Sequence, residues 1–323
     1  MIKVLRPINL LFIVIVMIVI RLALIVPSLA TIVVNESDFL SPELSDFQYA
    51  MLILSVIGLA AAAYVINDYY DREADKINKP THAVIGVKIH EKDALIWYYG
   101  LNAIALGLGL FLALRVDNLR LFYLFVVSVA VNWLYARYLK KIAFIGNLAV
   151  SASLAMVVWM PYLFEPVYFA DDLDGIEGMV DFITKVILWT SAAAFLLNLI
   201  REIVKDLQDE EGDRAMGCKT LPIAIGIPFT VYILQVLTLG AIGGFAYLMY
   251  RFYLMGVNEL YWLQQMNVYL GLSILAPCIA LFIALFGYKK FSTKYWGWIS
   301  HALKLIMLLG LFSLLFFKHY LES

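Results

Sequence analysis

The sequence predicts an all-α fold: a polytopic membrane bundle of about nine transmembrane helices with its N-terminus in the cytoplasm. Three observations predict it. Hydrophobic residues fill 63% of the 323 positions and charged residues only 15%, whereas a soluble domain carries about a quarter charged. The apolar residues gather into runs near the ~20 residues that a helix needs to cross a bilayer core. Lys and Arg crowd alternate loops, and positive charge beside a span is held on the cytoplasmic side.

The predicted spans lie near 10–34, 47–66, 95–114, 120–136, 142–164, 182–202, 227–250, 265–287 and 299–317. The first is too long for a signal peptide, contains Arg21 and is followed by no small-residue cleavage pattern, so it reads as a retained helix. The cytoplasmic side holds Lys3, Arg6, Lys79, Arg137, Lys140, Lys205, Lys289 and Lys290. The opposite side holds Arg115, Arg120, Arg251 and Lys318, with acidic connectors from Glu36 to Asp46 and at Asp171-Asp172-Leu173-Asp174. An odd number of spans then puts the C-terminus outside. Arg21 and Lys304 are intramembrane cations, expected to snorkel or to pair rather than to do chemistry.

Cys218 and Cys278 are isolated thiols, so neither a disulfide framework nor a cysteine metal cluster is indicated. The sequence has no basic nucleic-acid patch, so no nucleic-acid partner is expected, and it has no Gly-rich phosphate loop. One membrane domain over residues 1–323 accounts for the chain, an integral protein expected in the cell (inner) membrane.

A repeated spacing carries the chemistry. Asp68-x2-Asp71-x3-Asp75 follows the second span, and Asp206-x2-Asp209-x3-Asp213 follows the sixth, at an offset of 138 residues. This offset suggests two pseudo-repeated halves. Each helical residue advances about 100°, so the three aspartates of each motif fall within roughly 60° on one face. Asn67, four residues before Asp71, joins the first stripe. A carboxylate at the bilayer centre costs about 2.5–3.5 kcal/mol even on the lenient insertion scale, so both stripes must sit at the cytoplasmic mouth, facing a polar cavity. Their mutual repulsion calls for cations. Mg²⁺ suits an all-oxygen site and is held by one or two carboxylates plus substrate phosphates, so the motif pair predicts Mg²⁺ sharing a phosphorylated ligand.

At these residues the chain resembles the UbiA superfamily of intramembrane prenyltransferases. Asn67-Asp68-Tyr69-Tyr70-Asp71-Arg72-Glu73-Ala74-Asp75 is similar to its NDxxDxxxD motif, and Asp206 to Asp213 to its DxxDxxxD motif. Tyr135-Ala136-Arg137-Tyr138-Leu139-Lys140 resembles its YxxxxK element.

The resemblance implies transfer of a prenyl group from an allylic diphosphate to a lipid or aromatic acceptor among membrane lipids, with the site facing the cytoplasm. It implies metal ligands at Asn67, Asp68, Asp71 and Asp75 for one Mg²⁺, and at Asp206, Asp209 and Asp213 for the other. It further implies catalytic roles for Tyr135, Lys140 and Asp206, and substrate contacts from Arg6, Asn9, Lys140, Asn198, Arg201, Lys205 and Lys219. Tyr64, Trp133 and Trp159 are candidate linings for the prenyl tail, where aromatic faces stabilise a cation.

Within the superfamily, Arg201 to Asp206 and Gly217 to Pro222 look most like geranylgeranylglycerol-phosphate geranylgeranyltransferases. Quinone-pathway aromatic prenyltransferases share the metal motifs and stay open as an alternative. One departure is plain: Asn78-Lys79-Pro80 leads into Thr81-His82 where the pattern has an Arg-Pro pair, with His82 and Lys79 as the replacements at hand. A secondary transporter is the competing class, but transporter sites lie near the bilayer midplane, whereas both stripes here belong to one membrane face.

Overall fold

In hydrocarbon a chain must satisfy its own backbone hydrogen bonds, so the apolar runs can cross only as helices. The computed structural model describes residues 4–35, 38–78, 84–170, 175–215, 217–256 and 261–322. It has long helices at Pro7–Ala30 (α1), Asp46–Asn78 (α2), Glu91–Arg115 (α3), Arg120–Arg137 (α4), Ile145–Leu163 (α5), Glu177–Ala215 (α6), Ile227–Gly256 (α7), Trp262–Lys290 (α8) and Thr293–Lys318 (α9). Among the described residues, eight helices are long and apolar enough to span a membrane. α4 stands at the place of the fourth predicted span but is not in that set: it has only 18 residues, with Arg120 and Arg137 at its ends. Between α1 and α2, β1 (Val33–Asn35) pairs antiparallel with β2 (Asp38–Phe39).

Two helices overrun the membrane. At about 1.5 Å per residue, the 33 residues of α2 and 39 of α6 are far longer than the ~30 Å hydrocarbon core. Their ends carry the aspartate stripes out of the apolar layer without breaking the helix, so the stripes keep the spacing that the sequence implied.

α1 is the hub. It packs on α2, α5 and α9, while α2 also packs on α3 and α4, and α6 on α5, α7 and α9. Met17, Ile20, Ala23 and Leu24 of α1 are fully buried. Gly109 lets α3 close on α4, since a Cβ there would lie 2.8 Å from the Phe125 ring. Large apolar side chains left exposed, such as Ile104, Phe229, Leu272 and Trp298, form the lipid-facing surface of such a bundle.

Both α1 and α8 widen into a π turn, at Arg21–Ile25 and Gly271–Leu275, with Val26 N–H bonding to Arg21 O and Ala276 N–H to Gly271 O. Pro27 and Pro277 follow immediately. A proline has no N–H to give and crowds the carbonyl four residues back, and the wider turn relieves both.

The end of the bundle away from the stripes is tied by a buried polar cluster. Arg21 is paired, as expected, donating to Leu44 O at 2.8 Å and to Asp46 Oδ1 at 3.0 Å beneath the Tyr49 ring. Glu165, in the α5–α6 connection, accepts from the Glu43 N–H at 2.8 Å, and the Tyr168 hydroxyl bonds Ser28 at 2.6 Å. Burial pushes the Glu165 carboxyl up to about 7, outweighing the Glu43 N–H and the Arg21 charge that act the other way.

The linkage has a definite sign. Between the ordinary value of 4.5 and about 7, the folded protein keeps a proton that the unfolded chain has released. Stability therefore falls as pH rises through that window, by up to about 1.4 kcal/mol per pH unit. Glu165→Gln should flatten this decline and melt higher than wild type at pH 8 in the same detergent. An unchanged pH profile of the melting temperature would contradict the assignment.

Candidate active site

The two stripes face a common cavity of about 950 Å³. Its polar end is lined by Arg6, Asn67, Asp68 and Asp71 from one side and by Lys205, Gln208, Asp209 and Asp213 from α6. Its remaining wall is largely apolar, with Phe12, Val56, Leu59, Leu124, Val157 and Met160 among the lining residues.

Charges at the polar end are paired across helices. Arg6 adopts a left-handed conformation (φ 49°) where the chain turns into α1. Its Nη2 lies 2.8 Å from Asp68 Oδ1, and its guanidinium sits over the Tyr64 ring at 4.9 Å. Asn67 Nδ2 donates to Asp71 Oδ2 at 3.1 Å, the i to i+4 contact expected of one helical stripe. Lys140 Nζ donates to Asp71 Oδ1 at 2.5 Å and to Asn67 Oδ1 at 3.3 Å. The ammonium thus holds two of the oxygens that the first motif offers to a cation.

Lys140 is positioned by a tightly built turn. It sits in the 3₁₀ segment Leu139–Lys141, followed by Phe144 at φ 69° and by Gly146. A Cβ on Gly146 would meet Leu139 O and Lys140 Cα at 3.0 Å, so any other residue would push this turn apart by a few tenths of an ångström. The Lys219 N–H donates to Lys141 O at 3.1 Å, tying the turn to the segment after α6.

On α6, buried Glu202 accepts from Arg201 Nη1 at 2.6 Å and from Lys205 Nζ at 2.9 Å. Asn198 is buried on the cavity wall and donates to Ser151 Oγ at 3.3 Å. Tyr135 lines the cavity from α4.

The structure places the other expected residues as follows. Asp206 is not among the cavity-lining residues; its Oδ2 accepts from Asn147 Nδ2 at 2.9 Å, on the α5 side. The Lys219 side chain is exposed and outside the cavity lining, and its backbone N–H bonds the Lys141 turn. Tyr64 lines the cavity but Trp133 and Trp159 do not: Trp133 packs against Arg137 and Tyr138, and Trp159 against Tyr162. Lys304, expected to snorkel or to pair, lines the cavity and is paired, donating to Asn9 Oδ1 at 2.6 Å. The Asp75 side chain, Lys79 and His82 lie outside the described residues.

Gln208 and Asn147 were not singled out in the sequence. Gln208 follows the family-like Asp206 and reaches the cavity where Gly297 of α9 leaves it room, a Cβ there standing 3.1 Å from Gln208 Nε2. The polar residue at the start of the fifth apolar run was the available signal for Asn147.

The donor set is entirely oxygen, which suits a hard divalent cation. Among the described residues no three acidic, histidine or cysteine side chains already form a metal cluster, so the carboxylates would share the ion with oxygens from a ligand. An ammonium already bound to Asp71 and Asn67 marks where such a cation is attracted.

Fold and cavity define a polytopic helical membrane protein with an acidic, cation-seeking mouth over an apolar pocket. The chain belongs to the UbiA prenyltransferase family, which matches residues 24–296. It is similar to the digeranylgeranylglyceryl phosphate synthases of Pyrococcus abyssi (38% identity over 177 residues, 54% of this chain and 56% of that protein) and Korarchaeum cryptofilum (33% over 194 residues, 60% and 61%). The matches span only about 56–61% of the length of these two relatives. A solved structure of a digeranylgeranylglyceryl phosphate synthase shares the fold, with TM-score 0.63, 22% identity, and 97% of this chain and 95% of that one covered. So does a UbiA homologue from Archaeoglobus fulgidus solved with DMAPP and Mg²⁺, with TM-score 0.56, 17% identity, and 97% and 98% covered.

Lys140→Met should leave Asp71 facing its neighbours without its cation, lowering stability by about 1–3 kcal/mol, the worth of a charge-assisted hydrogen bond. Added Mg²⁺ should restore the variant's melting temperature more than it raises that of wild type. Equal Mg²⁺ shifts in both proteins would show that ammonium and metal do not seek the same oxygens.

Proposed function

We propose that this chain transfers a geranylgeranyl group from its allylic diphosphate to the free hydroxyl of geranylgeranylglyceryl phosphate, in a Mg²⁺-dependent reaction. The observation that carries this reading is the meeting of Asn67, Asp68, Asp71, Asp209 and Asp213 at the polar end of a cavity whose remaining wall is largely apolar. The names of the relatives support the acceptor, and the DMAPP and Mg²⁺ bound by the Archaeoglobus fulgidus homologue support the donor and the metal. One domain of two pseudo-repeated halves would place the matching stripes on α2 and α6.

In this reading Mg²⁺ would be held by Asn67, Asp68, Asp71 and Asp75 on α2 and by Asp209 and Asp213 on α6, neutralising charge that builds on the leaving diphosphate. Lys140, Arg6 and Lys205 supply further positive charge to the same oxygens. Asp206, held by Asn147, helps keep the second stripe in register. The allylic C–O bond breaks with its electron pair going to the diphosphate. The acceptor hydroxyl oxygen then bonds to the freed carbon, and its proton ends on the departing diphosphate. Tyr64 and Tyr135 offer aromatic surface to the allylic cation, and the apolar wall excludes competing water.

Lys140, Lys141, Lys205, Arg214 and Lys219 all sit at the stripe end of the chain's helices, so we place the mouth on the cytoplasmic side of the cell membrane.

The test is product formation by the purified chain from geranylgeranyl diphosphate and geranylgeranylglyceryl phosphate. Product should require Mg²⁺, and Asp71→Ala or Asp209→Ala should lower kcat/KM by about 10²- to 10³-fold, as loss of transition-state charge stabilisation does elsewhere. Undiminished transfer in these variants would overturn the site. Preference for an aromatic quinone-precursor acid over the glycerol phosphate lipid would overturn the acceptor.

A further inference from the structure

A second group of cations on the same cavity wall is not taken up by the diphosphate end. Lys304 projects from α9, and Asn9 comes from α1. Lys304 Nζ donates to Asn9 Oδ1 at 2.6 Å and lies 5.9 Å from the Phe12 ring centroid. An ammonium has three donors, and among the described residues its one hydrogen-bond partner is this neutral amide. Arg201, on the facing helix, bears on Lys304 with a like charge. Its Nη1 is paired with Glu202, but its Nε is buried with no hydrogen-bond partner. Glu202 is already shared with Lys205.

Two cations, Arg201 and Lys304, therefore stand on this wall, and the carboxylate that pairs with Arg201 is already shared with Lys205. Intramembrane cations are ordinarily paired, because an unmatched charge or N–H in low dielectric is costly. Spare donors in a cavity are suited to an oxyanion, to which charge-assisted hydrogen bonds are strong.

The place differs from the diphosphate end. Arg201 precedes Asp209 by eight residues, about 12 Å along the helix, and Asn9 lies one turn further into the membrane than Arg6, which pairs with Asp68. Carboxylates dominate near Asp71 and Asp209, so an anion there needs a metal. Around Lys304 the balance is cationic and an anion needs none.

We infer that Lys304, Asn9 and Arg201 form a second anion subsite, which takes the phosphomonoester of the acceptor lipid and selects a phosphorylated acceptor over a neutral alcohol. The inference rests on the proposed function for the identity of the acceptor. The two phosphoryl groups are thus sorted by charge: the donor's goes to the acidic, metal-dependent end and the acceptor's to the metal-independent cations. The acceptor hydroxyl, a few bonds from its phosphate, is left to reach toward the donor carbon.

The experiment uses the full chain in detergent and the variants Lys304→Gln and Lys304→Arg. For Lys304→Gln, the KM for geranylgeranylglyceryl phosphate should rise about tenfold or more, as loss of a charge-assisted hydrogen bond implies. Mg²⁺-dependent binding of geranylgeranyl diphosphate should stay unchanged, which also reports that the variant is folded. Lys304→Arg should recover most of the loss. An unchanged acceptor KM, or equal weakening of donor and acceptor, would overturn the inference.

If wild type transfers to no phosphorylated acceptor, the proposed function fails and binding alone decides the subsite. Thermal stabilisation by geranylgeranylglyceryl phosphate without Mg²⁺, present in wild type and absent in Lys304→Gln, supports it. Stabilisation of neither protein, or of both equally, overturns it.

Discussion

The cost of placing carboxylates in hydrocarbon organises this molecule. Six aspartates in two motifs cannot sit among the apolar side chains of their own spans, so α2 and α6 run on past the membrane layer as unbroken helices. Continuity preserves the 3.6-residue period, and the period keeps Asn67 and Asp71 on one face, near enough to bond each other. The facing arrangement then concentrates negative charge, which draws in Arg6 and Lys140 from other parts of the chain. These cross-helix pairs close the polar end of the cavity, while much of its remaining wall is apolar.

Positioning at this end depends on backbone more than on side-chain packing. The Lys140 turn needs a left-handed Phe144, a Gly146 without a Cβ and the hydrogen bond from Lys219. The opposite end is fixed differently, by buried Arg21 and Glu165 tying α1, α2 and the α5–α6 connection together. One end of the bundle is thus tied by buried polar contacts and the other by charge pairs between helices.

Much of this was legible in the sequence because it is periodic. The spans show as apolar runs, and the stripes as a spacing repeated at a fixed offset. The fourth span shows its weakness in Arg120, Asn132 and Arg137. Contacts between helices left no such trace. Asn147 meeting Asp206, and Gln208 entering beside Gly297, depend on rotations of helices that no single segment encodes. Lys304 was legible as a cation that snorkels or pairs, but its chain position says nothing of its partner, the Asn9 carbonyl oxygen 295 residues away. Trp133 and Trp159 failed as cavity linings for the same reason: in a chain this rich in aromatics, most rings pack on neighbours.

The central claim is that the two stripes act together as a metal-dependent diphosphate site. Calorimetric titration of inorganic diphosphate into the purified chain, with Mg²⁺ and then with chelator, tests it without reference to any acceptor. The account predicts binding that needs Mg²⁺ and is abolished when Asp71 and Asp209 are both replaced by Asn. Equal binding in chelator, or binding retained by that double variant, would contradict it.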